Sequence, residues 1–212
     1  TIPQHPDARR ESARAAKYQA SEDAARALLD DLFGRVFDKS VVLTNMIFPT
    51  GETSAVRSAE IDAMVVCNAG VFLFEVKSWT NCKVLREKTA DGVSEWTLNY
   101  KHGHDPRHPV KDPVHQLGGK LKVISPFVKD AVCKHIEYHA NESSLGLDAL
   151  ADDGFGHRLS QSVNAMVAQI KNPNIRMRSY VLLPMDGVDL PLNVPSNVIL
   201  GSELPLVLRQ LY

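Results

Sequence analysis

The sequence has 212 residues, of which 44% are apolar, and this is enough for one sizeable hydrophobic core. Lysine and arginine number 24 against 25 aspartate and glutamate, so the net charge of −1 gives no overall field that attracts a polyanion. Any nucleic-acid binding must therefore come from a local patch. No apolar run reaches about 18 residues and the first 16 residues lack a signal core, so we expect a soluble, cytoplasmic protein that does not enter a membrane.

The first part of the chain predicts one helix, or two in tandem, followed by three strands. Residues 7–37 place apolar side chains at helical spacing, and residues 41–49 predict a first strand. Residues 58–67 and 71–78 predict two more strands, which residues 68–70 would join as a hairpin. The apolar stripe of the helix consists of Leu28, Leu29, Leu32, Phe33 and Val36.

The middle of the chain predicts weaker strands and a second helix. Residues 80–91 and 94–100 look like strands at the edge of the sheet. Asp112 can cap a helix whose first turn holds Pro113, and that helix should stop by Pro126.

The last part of the chain is harder to interpret. Residues 131–140 and 159–170 predict helices within a stretch, 130–174, that resembles an insertion. Residues 175–183 and 198–200 predict strands, and 202–211 predict a capped terminal helix. The order of elements is typical of an α/β or α+β sheet covered by helices on both faces.

Two charged pairs lie on the strands of the predicted hairpin. Glu60 and Asp62 are two residues apart, as are Glu75 and Lys77, so each pair shares a strand face at about 6.5–7 Å. With the turn centred at residues 68–69, Asp62 lies opposite Glu75. The same register places Glu60 opposite Lys77, whereas a slip of one residue would put the carboxylates on opposite faces.

Adjacent carboxylates among apolar neighbours repel each other and are costly to leave dry. A hard cation such as Mg²⁺ or Mn²⁺ resolves this conflict, lowers the pKa of bound water and stabilises charge on a phosphate. Lys77 could orient that water or neutralise the same charge. The alternative is a cross-strand ladder of salt bridges at the wet end of the hairpin, where each exposed pair contributes about 0.2–1 kcal/mol.

The runs AEIDAMVV at 59–66 and AGVFLFEVKSW at 69–79 resemble the core of the NERD (nuclease-related domain) family. Its usual form is Glu-Ile-Asp, a Gly turn and an apolar strand that closes on Glu-Val-Lys. NERD domains are similar to the PD-(D/E)xK nucleases, which cut phosphodiester bonds with a bound metal. The resemblance implies a restriction-endonuclease-like α/β fold, with a central mixed β-sheet flanked by helices on both faces.

The resemblance covers about residues 22–128, with a weaker match in the strand near 175–183. We therefore expect a single domain over residues 1–212, with 130–174 as a helical insertion.

The resemblance also implies roles for individual residues. Asp62 and Glu75 become ligands of Mg²⁺ or Mn²⁺, the Val76 carbonyl a third ligand, and Lys77 the catalytic lysine. Gln116 follows a proline at the start of the later helix, as in the family, and would position substrate or water. Lys120 lies four residues after Gln116, so it shares that helix face.

Two carboxylates complete the predicted catalytic set. Glu60 is a supporting carboxylate, and Glu22 is the candidate for a helical glutamate that precedes the strands in this family. A solvent-facing position is the alternative for Glu22, and equally for Gln116.

Other segments offer weaker signals. Arg14 and Lys17 belong to a basic start that could contact nucleic acid or form an ordinary solvated helix. Trp79 and Trp96 could stack on bases or pack in the core. A zinc site is a third, remote option, opposed by the lack of recognised ligand spacing. Its ligands would be His102, His104, Asp105, His108 and His115.

The sequence therefore predicts a Mg²⁺-dependent nuclease that hydrolyses phosphodiester bonds, with DNA as the partner and RNA as an alternative. A non-catalytic module that binds nucleic acid or protein through the same fold is the second hypothesis. A homodimer and a separate partner domain both stay open, as do strand type, the mode of cutting and sequence preference.

Overall fold

The computed structural model describes residues 6–50, 58–101, 107–149 and 175–210. Within these ranges the helices are α1 (Pro6–Val36), α2 (Pro113–Ala149) and α3 (Leu204–Arg209), and a 3₁₀ turn at Gly201–Glu203 precedes α3. The strands are β1 (Ser40–Pro49), β2 (Ser58–Cys67), β3 (Gly70–Val76), β4 (Cys82–Lys88), β5 (Ser94–Tyr100), β6 (Arg107–Val110), β7 (Met177–Leu183), β8 (Val188–Asp189) and β9 (Val198–Leu200).

The main sheet has five strands in the order β1-β2-β3-β7-β9. The first three strands pair antiparallel, whereas β3, β7 and β9 run parallel to one another. Helices α1 and α3 cover one face, and α2 reaches the other face where Lys120 contacts Glu75. The predicted mixed sheet between helices is confirmed, and the architecture is consistent with a restriction-endonuclease-like fold.

The apolar stripe of α1 forms the centre of the core, as its spacing predicts. Leu29 and Phe33 are fully buried. The Phe33 ring packs edge-on against Phe72 at 5.1 Å and against Phe74 at 6.2 Å between centroids. Because Phe72 and Phe74 turn one face of β3 toward α1, the residues between and after them face the opposite side of the sheet.

The predicted hairpin forms with the predicted register. The backbone ladder between β2 and β3 runs from Cys67↔Gly70 to Ala63↔Phe74 and then ends. Two details of the prediction are wrong: β3 ends at Val76 rather than at residue 78, and Glu60 does not pair with Lys77. The ladder stops because the strands separate at the next position. There a side-chain carboxylate of β2, rather than a backbone carbonyl, accepts the hydrogen bond from a backbone N–H of β3.

The strands predicted at the sheet edge instead build a second sheet, of four strands in the order β6-β5-β4-β8. The chain leaves the main sheet after β3 through Asn81, which has a left-handed φ of 50°. Trp79 and Trp96 are buried here with ring centroids 6.4 Å apart, so the packing interpretation is confirmed for both. Consecutive strands β4, β5 and β6 pair antiparallel, and only β8, the other partner of β4, lies about a hundred residues further along the chain, so the sequence could not show that these strands form a separate sheet.

The prediction that the second helix stops by Pro126 is wrong, because α2 continues to Ala149. A proline removes one helical hydrogen bond and costs about 3 kcal/mol, but it does not forbid a helix. Pro126 is exposed, and an ion pair of 2.8 Å between Lys134 and Asp130 supports the following turns. The helix predicted at 131–140 is therefore confirmed as part of α2.

The chain divides into two compact units, residues 1–121 with 177–212 and residues 122–176. Both sheets and the candidate site belong to the first unit. The second unit contains the whole of the predicted insertion, whose helix at 159–170 lies outside the described residues. In the part of the chain that the structure describes, no helix is both long and apolar enough to cross a membrane.

Asp112 caps α2 and so fixes the helix that reaches the site. Its Oδ1 accepts hydrogen bonds from the backbone N–H groups of Val114 at 2.9 Å and His115 at 3.0 Å. We expect Asp112→Ala to lower the free energy of unfolding by about 1 kcal/mol, because these two donors lose their acceptor. Asp112→Asn keeps an acceptor and should stay close to wild type in urea unfolding, and an equal loss in both variants would contradict the cap.

Candidate active site at the end of β3

The candidate site lies where β2 and β3 separate. At this point the Asp62 carboxylate replaces a backbone partner: its Oδ2 accepts a hydrogen bond of 2.6 Å from the N–H of Val76. On the other edge of β3, the N–H of Lys77 donates to the carbonyl of Leu182 in β7 at 3.0 Å. Since the N–H and C=O of one extended residue point to the same edge, the Val76 carbonyl faces the side of Asp62.

Glu75 is the buried centre of the site. The residue is only 5% exposed, and it lies on the face of β3 opposite Phe74. Its Oε1 accepts from the Lys77 ammonium at 2.7 Å, and its Oε2 accepts from the Lys120 ammonium of α2. A carboxylate removed from water in this way needs compensation, and here two cations supply it.

The helix α2 supplies the third side of the site. Pro113 and Asp112 start the helix, and the residues one and two turns later reach β3. Gln116 Oε1 lies 3.5 Å from the Lys77 ammonium, at the long limit of a hydrogen bond. The expectation that Gln116 and Lys120 point toward the site from one helix face is thus met by both contacts.

Asp62 differs from Glu75 in its electrostatics. Burial, followed by the negative charge of Glu75, raises the pKa of Asp62 to about 6 from an ordinary value of 3.8. Lys120, the Val76 N–H and Lys77 all favour the charged form but only partly offset these effects. The two carboxylates are therefore close enough to repel each other, as the hairpin register predicts.

These groups fit a hard divalent cation. Two carboxylates and a backbone carbonyl offer oxygen ligands, and a carboxylate whose charge is disfavoured gains from a nearby cation. Mg²⁺ commonly uses only one or two carboxylates together with water and phosphate oxygens. This matters because the described residues contain no cluster of three or more His, Cys, Asp or Glu side chains that could hold a metal.

The other predicted carboxylates lie outside this cluster. Glu60 is exposed on β2, where its backbone pairs with Ile47 of β1. Glu22 is partly buried on α1. Neither is joined to Asp62, Glu75 or Lys77 by a hydrogen bond or ion pair among the described contacts, so their catalytic roles stay predictions.

The zinc alternative falls mostly on residues 102–106, which lie outside the described residues. His108 is described on β6, where its ring packs edge-on against Tyr100 at 5.4 Å. His115 is exposed on the first turn of α2. Neither histidine belongs to a metal-ligating group within the described ranges.

The sequence correctly predicts the helix face on which Lys120 lies, but Lys120 is not among the predicted catalytic residues. The signal in the sequence is the spacing of Lys120 from Gln116, which predicts the direction of the Lys120 side chain but not the residue that it contacts. The partner, Glu75, lies 45 residues earlier in the chain, so only the packing of α2 on the sheet brings the two charges together.

Lys120 should stabilise the protein through Glu75. We expect Lys120→Met to lower the free energy of unfolding by about 1–3 kcal/mol, because one oxygen of a buried carboxylate loses its cation while Lys77 remains. Lys122→Met, an exposed change on the same helix, is the control. In denaturant unfolding, Glu75→Gln should cancel much of the Lys120→Met loss, and additive losses would show that the pair does not interact.

Asp62 should destabilise the metal-free protein above its pKa. A folded-state pKa of about 6 against 3.8 means that the folded state binds the proton more tightly, so stability falls as pH rises between these values. In chelator, Asp62→Asn should therefore gain on the order of 1–3 kcal/mol above pH 7 and little below pH 4. Thermal unfolding across pH tests this, with exposed Glu60→Gln as control, and a pH-independent difference would refute it.

Comparison with known proteins gives one match. The family described as "Nuclease-related domain", NERD, matches residues 17–140, more than half of the chain and including every contact of Asp62 and Glu75 described above. No curated protein and no solved structure matches the chain. NERD domains are generally placed in the PD-(D/E)xK superfamily. This chain therefore belongs to the nuclease-related domain family.

Proposed function

We propose that this protein is a metal-dependent nuclease that hydrolyses phosphodiester bonds of DNA. The observation that carries the proposal is the buried Glu75, which lies beside Asp62 and is bound by Lys77 at the end of β3. A structural salt bridge would not require a second carboxylate whose charge is disfavoured at the same place. A cation-binding hydrolytic site does.

Asp62, Glu75 and the Val76 carbonyl are the residues that would hold Mg²⁺ or Mn²⁺. When bound, such a cation lowers the pKa of a water molecule and stabilises negative charge on the phosphate. Asp62 is held in place by the Val76 N–H, and Glu75 by the strand pairing of β3 with β7. The ligands are therefore fixed by backbone structure before any ion arrives.

Lys77 is the candidate for the catalytic cation. Its ammonium is 2.7 Å from Glu75 and its side chain is 22% exposed, so it can face both the carboxylate and an incoming phosphate. Such a cation orients the attacking water or stabilises charge that develops on the phosphate. Gln116, next to Lys77, would position that water or the substrate.

A second candidate function is a non-catalytic module that binds nucleic acid or protein. The observation that favours it is the pairing of both Glu75 oxygens with lysines, since this neutralises the carboxylate without any metal. In a nuclease, a divalent cation would have to compete with Lys120 for the same oxygen. The two functions therefore differ in whether the metal binds at all.

Cleavage of labelled plasmid, linear and single-stranded DNA tests the proposal. With Mg²⁺ or Mn²⁺ the wild type should cut at least one substrate, and chelator should abolish cutting. Glu75→Gln and Lys77→Met should each reduce the rate by about 100-fold or more, because each removes charge from the reacting centre. Glu87→Gln, an exposed change on β4, should leave the rate unchanged.

A metal-binding measurement separates the two candidates without any cutting. Mg²⁺ or Mn²⁺ at about 100 times its dissociation constant should stabilise the wild type by about 2.7 kcal/mol in thermal unfolding. Asp62→Asn should lose most of this gain. Absence of both the metal-induced gain and the cleavage in folded protein would reject the nuclease and favour the binding module.

A further inference from the structure

We infer that the substrate is an unpaired DNA strand, which lies in a cationic and aromatic cleft that leads to Lys77. The inference rests on the proposed nuclease function and names its substrate class. The cleft has a volume of about 840 Å³ and belongs entirely to the first compact unit. Its walls come from α1, from the residues that follow β3, and from β5 and β6.

Cationic side chains are concentrated in the cleft, although the protein as a whole is not basic. Four cationic side chains line it, and its described lining contains no aspartate or glutamate. The whole chain has a net charge of −1, so this concentration of cations is local. Lysine and arginine side chains along a groove attract the phosphates of nucleic acid, and this attraction does not depend on the base sequence. The four side chains are Arg14, Lys17, Lys77 and Lys111.

Two of these cations lie over tyrosine rings in the cleft. The Arg14 guanidinium lies 5.7 Å from the centre of the Tyr18 ring, and the Lys17 ammonium lies 5.8 Å from that of Tyr100. Tyr18 is 46% exposed, so much of its ring is open to solvent. Basic grooves that carry aromatic side chains bind single strands by stacking bases on the rings while the cations hold the backbone.

The aromatic rings favour an unpaired strand over a duplex. In a duplex each base already stacks on its neighbours, so a tyrosine can stack on a base only after that base is unstacked and unpaired. Phosphate contacts alone would fit either form. The cleft would therefore discriminate through the exposed Tyr18 rather than through its charge.

The cleft and the candidate active site share two residues. Lys77 lines the cleft while its ammonium contacts Glu75, and Gln116 lines the cleft while its side-chain oxygen faces Lys77. A strand held by Arg14 and Lys17 would therefore have one of its phosphates near Lys77. This continuity distinguishes the cleft from a basic patch elsewhere on the surface.

Binding in chelator tests the cleft separately from cutting. Fluorescence anisotropy would compare a labelled thymidine oligomer of about 12 nucleotides with its duplex of the same length. We expect the single strand to bind at least about tenfold more tightly. Tyr18→Leu should weaken its binding roughly 5- to 150-fold, because one stacking platform is lost, and should leave the salt dependence unchanged.

A matched pair of arginine variants on α1 tests the charge. Arg14→Ala should reduce the slope of log affinity against log salt by about 0.7, the value for one phosphate contact with a single strand. Arg26→Ala removes the same charge from the same helix, outside the cleft, and should change neither affinity nor slope.

Two binding results would overturn the inference: equal affinity for duplex and single strand, or wild-type affinity in Tyr18→Leu. Metal-dependent cutting of both DNA forms without preference would also overturn it, while leaving the nuclease intact. Conversely, tight and Tyr18-dependent strand binding by a protein that cuts nothing would leave the cleft in place and reject the nuclease.

Discussion

The buried carboxylate of Glu75 is the constraint on which this arrangement depends. A charged group at 5% exposure is stable only when it is paired, and its partners come from two different elements, Lys77 after β3 and Lys120 on α2. The need to compensate Glu75 thus fixes α2 on the face of the sheet that α1 leaves uncovered. The same helix then brings Gln116 beside Lys77. The Glu75 side chain therefore contributes both to the packing of α2 against the sheet and to the geometry of the candidate site.

Asp62 shows the other half of this coupling. Its carboxylate ends the β2–β3 ladder because it accepts the N–H of Val76, and this bond holds it near Glu75. Lys77 and Lys120 both contact Glu75, so the negative charge of Asp62 is less well compensated and its pKa is raised. A divalent cation would remove that imbalance, whereas a purely structural cluster would be more stable with an amide at this position.

The part of the fold that the sequence predicted is the part specified by short-range patterns. The α1 stripe at Leu29 and Phe33 follows helical spacing, and the hairpin follows from two apolar strands around a turn at residues 68–69. The register of that hairpin then places Asp62 and Glu75 on one face. A large share of the candidate site is therefore encoded within about twenty consecutive residues.

The rest depends on contacts between distant segments, which no local pattern specifies. The second sheet needs β8 to pair with β4, and the Glu75–Lys120 pair needs α2 to pack against β3. The continuation of α2 past Pro126 is a third case, because an exposed proline weakens a helix without deciding where it ends. The first two failures concern contacts between distant segments, and the third concerns a local preference that is too weak to end a helix.

The cleft gives two basic residues of α1 a place in the proposed function. Arg14 and Lys17 were ambiguous in the sequence because a basic, alanine-rich helix is ordinarily solvated. In the structure Lys17 lies over Tyr100 of the second sheet. Helix α1 and the second sheet thus line one groove that ends at Lys77. A protein with a net charge of −1 therefore has a groove lined by cations that reaches the candidate active site. The second sheet, which the sequence did not predict, supplies one wall of that groove, so under the proposed function it would contribute to substrate selection.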